Sequence, residues 1–293
     1  MRKILLLLFH LFICQVLISQ INISGVVKNY EKSFAIIWKQ ARYELPFSTD
    51  TIFLENQRFN LEIGSDQLTF INIDFFQSVG SKTIISIPLF ANPGDTIQIN
   101  LDFSKRSEDG ERVLCSFSGA NPKGHELLYA YKYRLLIYPL APFREILQKG
   151  GDITSVYQSF ITEIEKLIEP YAVLLKQGQI DNTYFKAVTD EIKSGIFYLI
   201  ISDLYQKKDN YEHLTPKEKA FLAGRLFHYF PASDSDALFT MLRADYFITY
   251  LRYSIALENN LTNFSGIQDT TMFIKGRAYN IINDFTPILY EKK

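Results

Sequence analysis

Two cysteines, four histidines and scattered carboxylates are the side chains of this sequence with the most reactive chemistry. His125-Glu126 resembles the start of a zinc-protease helix, in which a second histidine four residues after the first completes the ligand pair. Tyr129 occupies that position, so the motif fails. His213 and His228 have no His, Cys or Asp at ligand spacing and are interpreted as surface or core histidines. The sequence therefore predicts no metal site.

The sequence contains no complete motif for phosphate binding or for serine hydrolysis. The segment Gly80-Ser81-Lys82-Thr83 superficially suggests a phosphate-binding loop, but it lacks the earlier glycine and the Gly-Lys adjacency of that motif. It predicts a hairpin turn instead. Neither the Gly-x-Ser-x-Gly elbow nor the Ser-x-x-Lys signature occurs in the chain, so these common serine hydrolase motifs do not apply.

Paired carboxylates leave no local signature, because glycosidase acids need only lie close together in space. Asp74, beside two phenylalanines, is one nominal candidate, and Glu163 with Glu165 is another. We expect Asp74 to end a strand and the two glutamates to lie on a solvated helical face. No catalytic residue and no cofactor-binding residue is therefore assigned, although a carboxylate site stays open.

The first twenty residues have the layout of a secretory signal peptide. Arg2 and Lys3 precede an apolar run over residues 4–13 that is interrupted only by His10. The run is too short for a spanning helix, which needs roughly 20 apolar residues. The periplasm or cell envelope is therefore the expected location. Cys14 could be the acylated residue of a lipoprotein, but the large Ile13 before it argues against this.

The expected mature chain limits both charge and redox chemistry. Loss of Arg2 and Lys3 leaves 29 of the 31 basic residues against 32 acidic ones, a net charge near −3, which gives no electrostatic footprint for nucleic acid. Cys115 is then the single cysteine, so neither an internal disulfide nor a Cys-x-x-Cys pair can form. It alternates with Leu114 and Ser116, and we expect it to be a structural residue. No second apolar run reaches spanning length.

The region 21–118 has an apolar pattern of period two, interrupted by turn residues, and it predicts about eight strands. The expected strands are 23–27, 34–38, 51–54, 59–63, 70–73, 84–87, 97–101 and 113–117. Asn92-Pro93-Gly94-Asp95 predicts a turn, since proline presets the first turn position and glycine supplies positive φ at the second. Short strands without helices between them favour an antiparallel β-sandwich or barrel.

After Gly119 the apolar period becomes that of helices. Apolar stripes begin at Val156 and Phe185, and Thr215-Pro216-Lys217-Glu218 combines a capping threonine, an N1 proline and a glutamate three residues after the cap. Further helices are expected from 233 and over 269–283. The aromatic stripe of Tyr246, Phe247, Tyr250 and Tyr253 could form a ligand wall, but core packing explains it more simply. The expected fold class is α+β, with a signal peptide (1–20), an antiparallel β-domain (21–118) and an all-helical C-terminal region (119–293).

Two short motifs carry a resemblance to a known family. Asn92-Pro93-Gly94-Asp95 and the junction Phe117-Ser118-Gly119-Ala120-Asn121, after an opening strand at 23–27, resemble the N-terminal part of thioredoxin-like disulfide reductases from the envelope of Bacteroidetes-type bacteria. The resemblance covers roughly residues 21–136 by motif and the remainder by layout. In that family a thioredoxin domain follows the helices, and its reactive Cys-x-x-Cys has no counterpart in this sequence.

Three hypotheses about function follow. The favoured one is a non-catalytic exported protein that binds another envelope protein or a peptide, without nucleic acid, metal or cofactor. The alternatives are an envelope hydrolase that uses unidentified carboxylates, and a truncated disulfide reductase.

Overall fold

The computed structural model describes residues 20–30, 35–40, 48–76, 83–106, 113–137, 140–149, 151–206, 214–231, 249–250 and 252–254. Several expectations lie outside these residues and are not tested by the structure. They concern the signal peptide with Cys14, most of the Gly80-Ser81-Lys82-Thr83 turn, His213, Tyr246, Phe247, and most of the helix from 233 together with the whole of 269–283.

The alternating residues between 20 and 119 form eight described strands, and each expected strand is confirmed. In the strand over residues 58–64, Phe59, Leu61 and Ile63 are buried whereas the residues between them are exposed. The strands are β1 (Gln20–Lys28), β2 (Ala35–Gln40), β3 (Ser48–Phe53), β4 (Arg58–Gly64), β5 (Thr69–Phe76), β6 (Thr83–Ala91), β7 (Thr96–Arg106) and β8 (Val113–Gly119).

These strands form two separate four-stranded sheets rather than one sheet closed on itself. Sheet A has the order β4-β1-β7-β8, and sheet B has the order β3-β2-β5-β6. One cluster of buried apolar side chains draws on both sheets. Phe59 of β4 and Phe75 of β5, for example, make an edge-to-face contact with ring centroids 5.7 Å apart.

One strand pair departs from the expected antiparallel arrangement. β1 and β7 are parallel, with Asn22 opposite Thr96 and Lys28 opposite Asp102. A parallel pair needs a long crossover between its strands, and here the crossover contains β2 to β6. The prediction of an all-antiparallel β-domain is therefore wrong at this pair, because the local alternation of a strand carries no information about the direction of its neighbour.

The Asn92-Pro93-Gly94-Asp95 turn links β6 of sheet B to β7 of sheet A, as the sequence predicts. Asp95 donates its backbone N–H to the Asn92 carbonyl at 3.0 Å, and Gly94 has a φ of 91°. The Asp95 carboxylate accepts a second hydrogen bond, from the Asn92 N–H at 2.7 Å. Proline at the first central position and positive φ at the second are the requirements of a type II turn.

The described secondary structure after Gly119 is helical. The helices are α1 (Pro122–Ile137), α2 (Leu140–Gln148), α3 (Ile153–Lys176), α4 (Asn182–Gln206) and α5 (Pro216–Tyr229), and residues 249–250 and 252–254 are also helical. α5 begins with the expected capping box, in which Thr215 and Glu218 each bond to the backbone of the other. Within the described residues, no helix has the length and apolar character needed to cross a membrane.

The described chain divides into two compact units, and the boundary between them does not coincide with the change from strands to helices. Residues up to Ile137 together with Lys166–Asp190 belong to one compact unit, and 138–165 together with residues from Glu191 onward belong mainly to a second. One change of unit falls at Lys166 in α3, four residues before Pro170. Because Pro170 has no N–H to donate to the Lys166 carbonyl, the helix lacks this one backbone hydrogen bond where the unit changes. Independent folding of 21–118 and 119–293 stays a prediction.

Candidate functional site

His125, the most distinctive residue of the failed zinc motif, is a core residue of α1. It is fully buried, with its ring centroid 5.6 Å from that of Phe117 and 5.0 Å from that of Tyr184. Its Nδ1 lies 3.4 Å from the Tyr184 hydroxyl, and Nε2 has no hydrogen-bond partner among the described residues. Burial lowers the pKa of His125 to about 3, because the charged imidazolium would lose its hydration. The side chain is therefore a neutral packing group at physiological pH.

The polypeptide around His125 explains how the histidine comes to be enclosed. A Cβ on Gly124 would lie 2.8 Å from Ile180 Cγ2 and closer still to the Tyr184 ring, so the approach of Tyr184 to α1 requires glycine. Asp181 caps α4, since its carboxylate accepts the Tyr184 N–H at 2.7 Å. Asn121 and Asp181 exchange two hydrogen bonds, each of 2.9 Å.

The junction between β8 and α1 has a strict backbone requirement. Gly119 has a φ of 95°, and a Cβ at this position would overlap the Thr96 carbonyl. The next residue, Ala120, donates its N–H to that same carbonyl at 3.1 Å. The Gly119 and Asn121 positions of the junction motif are thus fixed by the fold itself. They need no ligand to explain them.

Tyr129, which replaces the second zinc ligand, also has a structural role. Its hydroxyl donates a hydrogen bond to the Val113 carbonyl at 3.0 Å, and its ring lies 6.5 Å from that of Phe117. Cys115 lies between Val113 and Phe117 on the buried face of β8. Burial, with a smaller contribution from the charge of Glu126, raises the pKa of the Cys115 thiol. A thiol held in its protonated form is a poor nucleophile.

Asp74 is the carboxylate candidate with the most enclosed surroundings. It lies two residues before the end of β5, opposite Ile37 on one side and Ser86 on the other, and it is 5% exposed. Asn72 Nδ2 donates to its carboxylate at 2.6 Å, and the Ser86 hydroxyl donates to Asn72 Oδ1 at 3.1 Å. A serine nucleophile needs a base that can accept its proton. An amide in that position orders the hydroxyl without activating it.

The remaining candidates are dispersed over the helices. Glu165 is exposed and Glu163 is half-buried on α3, and His228 is exposed on α5. Tyr253 is buried and Tyr250 half-buried, and both pack on Phe227 with ring centroids 5.2 and 5.0 Å away. Core packing therefore accounts for the two described members of the aromatic stripe. Each of these candidates therefore has a position on a helix face or in a packed cluster of its own unit.

Buried polar groups on α4 were missed by the sequence analysis. Arg144 of α2 donates two hydrogen bonds of 3.2 Å to Asp203, whose side chain is 3% exposed. In the same compact unit, the Lys193 ammonium lies over the rings of Tyr229 and Phe230, 5.1 and 5.5 Å from their centroids. A fork-shaped guanidinium facing a carboxylate is a charge-assisted pair. Because 59 positions separate Arg144 and Asp203, no local spacing could reveal it.

Comparison with known proteins adds no relative. No protein-family model and no curated protein matches this sequence significantly. Within the described residues, no group of three or more His, Cys, Asp or Glu side chains could hold a metal ion. The candidate residues His125, Cys115 and Tyr129 are instead explained by packing in the core of the fold.

Proposed function

We propose that this chain is an exported, non-catalytic protein of the cell envelope that binds another envelope protein or a peptide. In this it is similar to the N-terminal part of thioredoxin-like disulfide reductases, as an accessory module. The observation that carries the proposal is the placement of Cys115 and of His125, the histidine of the failed zinc motif. Both are buried and held in their uncharged forms, where they pack rather than react.

The two motifs behind the family resemblance support a likeness of fold rather than of active site. Asn92-Pro93-Gly94-Asp95 makes the turn between the sheets, and Gly119 and Asn121 allow α1 to start directly after β8. Both segments are needed for architecture, so they support a likeness of fold without assigning chemistry. We further infer that sheets A and B pack face to face as a β-sandwich, since Phe59 and Phe75 of opposite sheets are in contact. We also infer that the region after 118 is all-helical, since its described elements are helices.

The non-catalytic part of the proposal is tested by thiol chemistry. The wild-type chain and the Cys115→Ala variant are compared in an insulin-reduction assay, with a Cys-x-x-Cys reductase as positive control. Both should stay at the uncatalysed rate, because a single thiol cannot resolve the mixed disulfide that it forms. A thiol-reactive probe should label native Cys115 slowly and the denatured chain fast. Insulin reduction above background that is lost on Cys115→Ala substitution would overturn the proposal.

The export part is tested separately. N-terminal sequencing of protein isolated from the envelope fraction should find a start near Gln20 or Ile21. Mass spectrometry of the same sample identifies a lipid on Cys14 if anchoring occurs. An intact Met1 on protein confined to the cytoplasm would contradict export.

A further inference from the structure

Strand β4 is one edge of sheet A, and its hydrogen-bonding direction follows from two observations. Beside the opposed pair of Val26 and Arg58, Val27 donates its N–H to the Gln57 carbonyl at 2.9 Å. Hydrogen-bonded and non-hydrogen-bonded pairs alternate along an antiparallel ladder. The even-numbered residues of β4 therefore direct their N–H and C=O groups away from β1.

The turn before β4 gives an independent check. Arg58 exchanges two backbone hydrogen bonds with Glu55, of 2.9 and 3.0 Å, on the side away from β1. Asn60 and Glu62, the next two even-numbered residues, must direct their backbone groups the same way. Among the residues that the structure describes, none pairs with the backbone of these two, and their side chains are exposed.

The opposite edge of sheet A is protected. Ala120 donates to Thr96, so the even-numbered residues of β8 from 114 to 118 direct their backbone groups to β7. Val113 lies beyond the register shift of this ladder, and its carbonyl is open to α1. That carbonyl accepts the hydrogen bond of Tyr129 from α1. Natural sheets cover or block their edges because an open edge is a template for another strand. In the described part of the chain, α1 packs on β8, and no helix packs on β4 to a comparable extent.

We propose that the β4 edge pairs with β4 of a second copy of this chain. In this antiparallel pairing Leu61 lies on the two-fold axis, opposite Leu61 of the second copy. Asn60 then exchanges two backbone hydrogen bonds with Glu62 of the second copy, and the symmetry repeats them. The Asn60 amide also faces the Glu62 carboxylate, a donor opposite an acceptor.

Of the registers centred within residues 60–62, this is the one that the residues of β4 permit. A shift that centres the pairing on Asn60 would need the backbone groups of Arg58, which Glu55 already occupies. A shift that centres it on Glu62 would place two like charges directly opposite each other, which destabilises a sheet. Because a C2 interface must be self-complementary, the Asn60 and Glu62 pairing identifies a second copy as the occupant. The interface is small, so the dimer should form reversibly with concentration.

A proline scan of the edge tests the proposal. Asn60→Pro removes an N–H that faces away from β1, a position where proline is tolerated in an edge strand. Light scattering over a dilution series should show wild type passing from monomer to dimer mass, and Asn60→Pro should remain monomeric with an unchanged circular dichroism spectrum. Asn60→Ala keeps the N–H and should still dimerise. A wild-type chain that stays monomeric throughout, or an Asn60→Pro variant that dimerises like wild type, would overturn it.

Cysteine cross-linking tests the register without relying on stability. Asn60→Cys and Glu62→Cys are prepared separately in a Cys14→Ser background, and Cys115 is retained because it is buried. Under mild oxidation the mixture should form a disulfide-linked dimer more readily than either variant alone. Equal cross-linking of Asn60→Cys with itself, or none in the mixture, would refute this pairing.

Discussion

His125 in the first compact unit and Asp203 in the second are both buried, but they are accommodated in opposite ways. His125 lies among the rings of Phe117 and Tyr184, and its pKa of about 3 shows that burial keeps it uncharged. Asp203 faces the Arg144 guanidinium at 3.2 Å with two hydrogen bonds. The aromatic cluster around His125 excludes a charge, whereas Arg144 pairs the Asp203 carboxylate with a counterion.

The difference shows what each arrangement tolerates. A neutral aromatic cluster depends on shape, because its members contribute by packing and every gap or overlap is felt. An ion pair with an enclosed carboxylate depends on both partners being present, because removing the guanidinium takes away its counterion. The two sites should therefore respond to different kinds of substitution.

The largest effect is expected from breaking the ion pair. Arg144→Leu leaves the Asp203 carboxylate without its fork of hydrogen bonds, and we expect a loss of about 3 kcal/mol in the free energy of unfolding. Chemical denaturation monitored by circular dichroism measures it. The double variant Arg144→Leu with Asp203→Leu should recover part of the loss. A double variant as unstable as the sum of the two single variants would mean that the residues do not act as a pair.

A smaller effect is expected from crowding the aromatic cluster. Gly124→Ala adds a Cβ within 2.8 Å of Ile180 and still closer to Tyr184. We expect a loss of about 2 kcal/mol, the usual cost of overpacking a filled core. A contrasting variant is Gly178→Ala, where a Cβ would meet no atom within 4 Å but a φ of +67° strains the backbone, so that its cost reports conformation and not crowding. A loss well below about 1 kcal/mol for Gly124→Ala would show that the close approach of α4 to α1 is not tight.

The third expected effect depends on pH. The pKa of His125 is about 3 in the folded chain and near 6.5 when unfolded. Between these values the unfolded state binds more protons, so stability falls as pH decreases, by up to about 1.4 kcal/mol per pH unit. His125→Gln cannot titrate and should give a flatter curve between pH 6.5 and 5. Parallel curves for the two proteins would show that His125 is protonated equally in both states.

Local sequence determines much of the secondary structure. The alternation around Phe59, the Pro93-Gly94 turn and the Thr215 capping box each act within a few residues, and each is found where the pattern predicts it. Their physical causes are side-chain alternation, fixed φ and local hydrogen bonding. None of them depends on a partner far away in the chain.

Long-range partners account for what the sequence did not reveal. An aspartate such as Asp203 is expected at the surface, and its burial is explained only by its contact with Arg144. The burial of His125 is likewise explained only by its contact with Tyr184. Asp74 was expected at the end of a strand, because the polar residue interrupts an apolar run. It lies within β5, where Asn72 satisfies its carboxylate.

The parallel pairing of β1 and β7 also sets an order of events for folding. The paired residues, from Asn22 with Thr96 to Lys28 with Asp102, are separated by about three quarters of the chain that forms both sheets. Closing so long a loop costs entropy before its contacts contribute, and such topologies fold slowly. β1 can pair with β4 early. Sheet A is complete only when β7 and β8 join it, and in the chain these two strands follow the strands of sheet B. We therefore expect the β1–β7 ladder to form late, with β1 exposed on one side until then.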